Sequence, residues 1–410
     1  MSIPPAVLPY GRQTVDEEDI AAVIEVLRGD FLTTGPTIEA YEAVFAEKVG
    51  APFAIACSSG TAGLHLATLA LGLGAGDVVI VPTITFLASA NCAAYVGATV
   101  AFADVDPDTG LLTVETARKA ALRAENDGLG PIKAIVAVHL NGHCVDVAAL
   151  ADAFPGIPII EDACHALGAS VTEPNEPSAR IGACPHSAMA MFSTHPVKTV
   201  ATGEGGMLTT RSPELAKRLR RLRNHGMERD PEFWTETALS FDNDGSPNPW
   251  AYEMPEPGYN YRLSDIHAAL GLSQIQKLRD FVEARRRLRC HYVTALDTLA
   301  ARTNHAIRPL PTAPGCNPAW HLSVVLIDFE AFGTSRAKVM KALRDHGVGS
   351  QVHYTPVHLQ PYFRHLNPDL VLPGADAYYK RCLSLPLYPS LTEADVDRVV
   401  TTLSGVLGIV

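Results

Sequence analysis

No apolar run in this sequence is both long enough and free enough of charge to cross a bilayer, which excludes a helical membrane span. Clustered basic charge is scarce too: the formal net charge is −11, which argues against generic binding to nucleic acid. The one basic run, Arg285-Arg286-Arg287-Leu288-Arg289, lies in a helical pattern and reads as a solvated helix face. The stretch Met1 to Tyr10 has neither the basic nor the apolar segment of a secretory signal, so a soluble, cytoplasmic protein is expected. Cysteine pairs at CxxC spacing are missing as well. Eight cysteines are scattered along the chain, several inside apolar segments such as Ala54-Ile55-Ala56-Cys57, which fits reduced, buried thiols.

What is present is an ordinary globular composition, 47% hydrophobic over 410 residues, enough for a large domain with a smaller companion. Short apolar runs alternate with helical stretches from about Phe53 to Thr210. This predicts an α/β fold with a mostly parallel sheet covered by helices on both faces. The predicted strands are 53–57, 78–81, 99–103, 134–138, 157–160, 188–192 and 206–209, with helices over 61–72, 86–96, 145–154 and 213–223. These strands are near-continuously hydrophobic, as central strands buried on both faces are. Residues 227–257, dense in Pro, Asp, Glu, Asn and Trp, predict a long surface loop. One long helix over 264–299 then leads to strands at 321–327 and 349–354 and helices at 335–346 and 393–407. The division is a large domain over 1–260 and a smaller C-terminal α/β domain over 261–410.

Three stretches carry chemistry. Ser58-Ser59-Gly60-Thr61-Ala62-Gly63 follows a strand and opens a helix, so its amides and hydroxyls suit a phosphate, although the same residues also make an ordinary N-cap. In Ile157-Pro158-Ile159-Ile160-Glu161-Asp162-Ala163-Cys164-His165 an acid ends a buried strand, where α/β proteins place ligands. Such an acid is satisfied by backbone, by arginine, or by the protonated nitrogen of a pyridine ring. Phe192-Ser193-Thr194-His195-Pro196-Val197-Lys198 runs into the Gly-rich Thr202-Gly203-Glu204-Gly205-Gly206. A lone lysine there, among apolar and small residues, suits an amine that reacts with carbonyl groups. Two further clusters are less pointed. His139-Leu140-Asn141-Gly142-His143 has a spacing found in metal sites but no third ligand at helical spacing, so no metal is assigned. His353, Tyr354 and His358 form a polar-aromatic group suited to packing or to sugar contact.

Taken in order, these stretches resemble the DegT/StrS-type sugar aminotransferases, a branch of the aspartate-aminotransferase-like, fold-type I enzymes that use pyridoxal 5'-phosphate (PLP). The likeness extends to Asp30-Phe31-Leu32-Thr33-Thr34-Gly35-Pro36, to Pro82 through Phe86 to Asn91, and to Gly258-Tyr259-Asn260-Tyr261-Arg262 through Asp265 to Gly271. The resemblance implies that Lys198 holds the cofactor covalently and then moves the proton between cofactor and substrate carbons. Asp162 pairs with the pyridine nitrogen, and His165 lies near the ring or its phenolic oxygen. The backbone of Thr61 and Ala62, with the Ser193 hydroxyl, holds the phosphate, and Phe86 stacks on the ring. Asn260 reaches the phosphate of a neighbouring subunit, which makes the active unit a homodimer with shared sites. L-Glutamate is the implied amino donor and a nucleotide-linked keto-sugar the acceptor. The surround of Lys198 is similar to that of enzymes that aminate carbon 4, with a UDP-sugar or, as the alternative, a GDP-sugar of the perosamine type. Arg262 or the 285–289 run is a candidate for the diphosphate. The 227–257 stretch is longer than the family's usual connection and bears on substrate choice. Two rivals share the fold: a sugar dehydratase, which typically has His in place of the lysine, and a non-catalytic PLP-binding regulator.

Overall fold

The structure is a computed structural model that describes residues 7–172 and 178–409; residues 1–6 of the N-terminal stretch read above lie outside them. Seven strands build the central sheet: β1 (Phe53–Cys57), β2 (Val78–Pro82), β3 (Thr99–Ala103), β4 (Ile132–Val138), β5 (Ile159–Asp162), β6 (Met189–Ser193) and β7 (Gly206–Thr210). Their order across the sheet is β1-β7-β6-β5-β4-β2-β3. Only β7 runs against its neighbours, pairing antiparallel with β1 and with β6. The remaining neighbours pair in parallel. Every residue of β2 and β7 is buried, as expected for strands covered on both faces. Because the other six strands share a direction, β1, β2, β4, β5 and β6 end along one edge of the sheet, and α/β proteins bind ligands at that edge.

A second sheet of three antiparallel strands, Ile307–Pro309, Ser323–Ile327 and Cys382–Leu385, packs with helices Leu278–Arg302, Arg336–Asp345 and Glu393–Val406. The strand expected over 349–354 does not form. Gln351 makes an isolated bridge to Ser384, while Gly349 pairs with Leu8, so the segment crosses between partners instead of running along one. The single helix expected over 264–299 is two, Asp265–Gln276 and Leu278–Arg302. The break falls at Lys277, whose ammonium is held by Asp16 at 2.5 Å and Asp19 at 3.1 Å.

The loop over 227–257 folds back on itself. Glu228 and Glu253 bridge its two arms, and the Glu253 carboxylate accepts from the amides of Thr235 and Glu236. Its neck is made of glycine because nothing larger fits. A Cβ on Gly226, which has φ +75°, would lie 1.9 Å from the Glu256 carbonyl oxygen.

The basic run is not a solvated face. Arg285 and Arg289 are 1% and 2% exposed, and both are spent on backbone carbonyls. Arg285 donates to His321 and Leu387, and Arg289 to Leu310 at 2.7 Å, to Val324 and to the Ser323 hydroxyl. Burial pushes both guanidinium groups down to about 10, still charged at neutral pH. The periodicity was that of a helix, but that helix turns this side inward, toward the second sheet and the segments that flank it. Arg289 also covers the Trp320 ring. Replacing it by alanine strands three oxygens and opens a void, which costs about 3 kcal/mol in urea unfolding at fixed PLP.

Candidate active site

The common edge of the central sheet opens into a cavity of about 540 Å³ whose wall includes Thr61, Phe86, Asp162, His165, Ser193 and Lys198. They arrive from the ends of four strands, β1, β2, β5 and β6, or the turns after them. After β1, Ser59 caps the helix Gly60–Ala70 by accepting from the Ala62 amide at 3.1 Å. The Ala62 amide is thereby already bonded within the chain, and the residue is buried. The first-turn amides without an intrahelical acceptor are those of Gly60 and Thr61. Gly60 also keeps this cradle open, since a Cβ there would come within 3.1 Å of the Ser193 side chain. After β2, Phe86 precedes the helix Leu87–Tyr95 with its ring 55% exposed and 6.0 Å from that of Tyr354.

Asp162 ends β5 and is buried. Its Oδ2 accepts from the Ser89 hydroxyl at 2.6 Å, which is itself 2.6 Å from the Thr85 hydroxyl, and its Oδ1 accepts from the Cys164 amide. Among the described residues no cation pairs with this carboxylate, and it lines the cavity. A buried acid with that vacancy fits a protonated ring nitrogen. Lys198 follows β6. Burial pushes its amine below the usual lysine range and Arg285 adds to the effect, while Cys164 and Asp162 oppose it. An amine that sheds its proton more readily is a better nucleophile and base.

His165 stands between two partners. The Asn141 amide donates to its Nδ1 at 3.2 Å, and the Tyr354 hydroxyl is 3.2 Å from its Nε2. Burial, with Lys198 and His353 close by, holds it well below the usual histidine range, so the ring is neutral. The 139–143 run supports this arrangement. His139 is tied at both nitrogens, to Glu161 at 2.8 Å and to the Val145 amide at 3.0 Å. Asn141 sits in the left-handed region with φ +63°. The turn closes at Gly142 (φ +92°), where a Cβ would lie 2.1 Å from the Ala319 carbonyl oxygen.

The polar-aromatic cluster divides. His353 and Tyr354 line the cavity, whereas His358 bonds Thr83 at 2.7 Å and packs against Phe102. Asn260 is exposed and outside the cavity wall, on a backbone bridge to Asn224. Arg262 donates to the Asn224 side chain. Ser89, Thr85, His321 and Gln351 join the site unannounced by the sequence reading. Ser89 lies one helical turn past Phe86, on the face turned to Asp162, which is the signal that reading could have used. A larger cavity of about 950 Å³, beyond Cys144 and Glu161, is lined without any lysine and holds none of these strand ends except Glu161.

A family model for the DegT/DnrJ/EryC1/StrS aminotransferases matches residues 13–404. The chain belongs to that family. Solved structures agree along its whole length. The aminotransferase TlmJ from Streptoalloteichus hindustanus is 30% identical, with a TM-score of 0.83 over 98% of this chain and 99% of its own. Helicobacter pylori PseC, an aminotransferase involved in the biosynthesis of pseudoaminic acid, is 25% identical with a TM-score of 0.84 over 98% and 99%. The PLP form of the sugar aminotransferase Spr1654 from Streptococcus pneumoniae is 25% identical, with a TM-score of 0.82 over 98% and 99%. The fold is therefore that of the PLP-dependent, fold-type I aminotransferases, and PLP is the cofactor of this DegT/StrS-type enzyme.

Proposed function

We propose that this enzyme transfers an amino group from L-glutamate to carbon 4 of a nucleotide-linked 4-keto-6-deoxy sugar. The finer assignment is UDP-4-amino-4,6-dideoxy-N-acetyl-β-L-altrosamine transaminase, of pseudaminic acid biosynthesis. The observation that carries the reaction class is one lysine, Lys198, desolvated in the same cavity as the unpaired carboxylate of Asp162. The finer assignment is supported by the likeness to PseC and by the residues around Lys198.

In this reading the Gly60 and Thr61 amides and the Ser193 hydroxyl hold the cofactor phosphate, Phe86 covers the ring, and Asp162 keeps the ring nitrogen protonated. When bound, PLP supplies an electron sink for the carbon that loses its proton. Lys198 Nζ takes the proton from the α-carbon of the amino donor and returns one to the sugar carbon. The exposed side chain of Asn260 completes the site of a second copy in a homodimer, and the enzyme works in the cytoplasm. Among the described residues no helix is long and apolar enough to cross a membrane. Lys198 counts against the dehydratase reading, and an intact Lys198, Asp162 and Ser193 set counts against a regulator without turnover.

The test is the visible spectrum of the PLP-loaded protein. L-Glutamate is expected to bleach the lysine-bound band, and a UDP-linked 4-keto-6-deoxy sugar to restore it. Restoration by the GDP-sugar alone replaces the UDP assignment, and a band that no amino donor alters overturns the reading.

A further inference from the structure

Tyr354 is held in the cavity by a chain of hydrogen bonds whose direction is fixed at one end. A backbone N–H can only donate, so the Asn141 amide, 3.2 Å from His165 Nδ1, requires that nitrogen to be an acceptor. A neutral imidazole carries one hydrogen, which must then be on Nε2 and point at the Tyr354 oxygen, 3.2 Å away. His165 is neutral, as its burial dictates. The Tyr354 oxygen is therefore an acceptor toward His165, and its own hydrogen must turn elsewhere. Burial holds the phenol far above its usual range, so that hydrogen stays on.

Nothing among the described residues takes it. Among the described residues His165 is the hydroxyl's one hydrogen-bond partner. The Asp162 carboxylate, whose charge is felt at the phenol, accepts from Ser89 and from the Cys164 amide but makes no hydrogen bond with Tyr354. His353 turns its Nδ1 to Ser384 at 2.8 Å. The free O–H thus belongs to a residue that lines the same cavity as Lys198.

We infer that Tyr354 is a further catalytic residue, whose phenol donates a hydrogen bond to an oxygen of the bound substrate, with Asn141 and His165 as the positioning residues that fix the direction of that bond. The inference rests on the aminotransfer reading above. Two oxygens have the right chemistry: the keto oxygen of the sugar, on which negative charge grows as the carbonyl is attacked, and the carboxylate of the amino donor.

The test uses the PLP-loaded enzyme and Tyr354→Phe, which keeps the ring against Phe86 and removes only the hydroxyl. With ¹⁵N-labelled histidine, and His165→Gln to assign the signals, NMR should find His165 protonated on Nε2 in both wild type and Tyr354→Phe. Single-turnover rates should fall about 10- to 100-fold in the variant, with its thermal midpoint and PLP affinity unchanged. Loss confined to the sugar half-reaction assigns the keto oxygen, loss confined to the glutamate half assigns the carboxylate, and loss in both gives Tyr354 each oxygen in turn. His165 protonated on Nδ1, or rates within twofold of wild type in both halves, overturns the inference. Wild-type enzyme that converts neither substrate removes the aminotransfer reading, and the donor role with it, whatever the tautomer.

Discussion

Lys198→Ala is expected to lower transamination by at least about 10³-fold while leaving the fold as stable as before or more so. The rate loss follows from two roles lost together. The side chain is the one nucleophilic amine in the cavity wall and, in the proposed reading, the base that moves the proton between carbons. Proton transfer by a positioned side chain is worth about 10²- to 10⁴-fold alone. The stability expectation runs the other way because the ammonium is desolvated and, among the described residues, no ion pair compensates it. Asp162 and Cys164 offset only part of that cost, so removing the amine should leave the thermal midpoint of the apo-protein no lower. Single-turnover kinetics with L-glutamate, alongside thermal unfolding without PLP, check both halves. A variant that loses activity and stability together would mean that Lys198 is a structural residue. Partial recovery of the rate by added small amines would identify the missing function as proton transfer.

The sheet was legible because its strands are buried on both faces and so appear as uninterrupted apolar runs, from Phe53–Cys57 to Gly206–Thr210. The elements not anticipated include the short strands Ile307–Pro309 and Cys382–Leu385 and helices whose pattern is less exclusive. Glu17–Arg28 turns most of its length to solvent and packs on Asp265–Gln276 mainly through the buried carboxylate of Asp19. Its start was signalled by Asp16 and Asp19, which form a capping box, but that signal is local and says nothing about what the helix covers. Arg285 and Arg289 were misread for a related reason. Arginine on a helix is usually solvated, and only the three-dimensional supply of carbonyls from Leu310, His321, Val324 and Leu387 reverses that preference.

At the site, the residues that end strands were legible: Asp162 and Ser193 sit where a hydrophobic run stops and a polar turn begins. The residues that direct them were not. Ser89, backed by Thr85, reaches Asp162 from a segment distant in sequence, and His321 packs on the His165 ring in the same way; the helical spacing of Ser89 gives its face but not the partner across from it. At Ala62 the turn was legible and its hydrogen bond was not, because which first-turn N–H the cap takes depends on the Ser59 rotamer.

Asp162→Asn is the second large loss expected, about 10²- to 10⁴-fold in either half-reaction, and it separates charge from shape. Asparagine occupies nearly the same volume, its one oxygen can still accept from the Cys164 amide, and the Ser89 hydroxyl can turn to accept from its NH2 while donating to Thr85, so the local packing should survive. What it cannot do is hold a proton on a facing ring nitrogen, because its amide is neutral and offers a donor where an anion is needed. Ser89→Ala is the control. It removes one hydrogen bond that orients the carboxylate and leaves the charge, so its effect should be only about three- to tenfold. If the two variants lose equal activity, the geometry of the Ser89–Asp162 pair matters and the charge does not, and the role given to Asp162 fails. If Asp162→Asn alone collapses the rate while its PLP-loaded thermal midpoint stays near wild type, the carboxylate acts on the electronics of the cofactor rather than on retention of it. That outcome also explains why a buried acid is tolerated without a cation of its own: its partner arrives with the ligand.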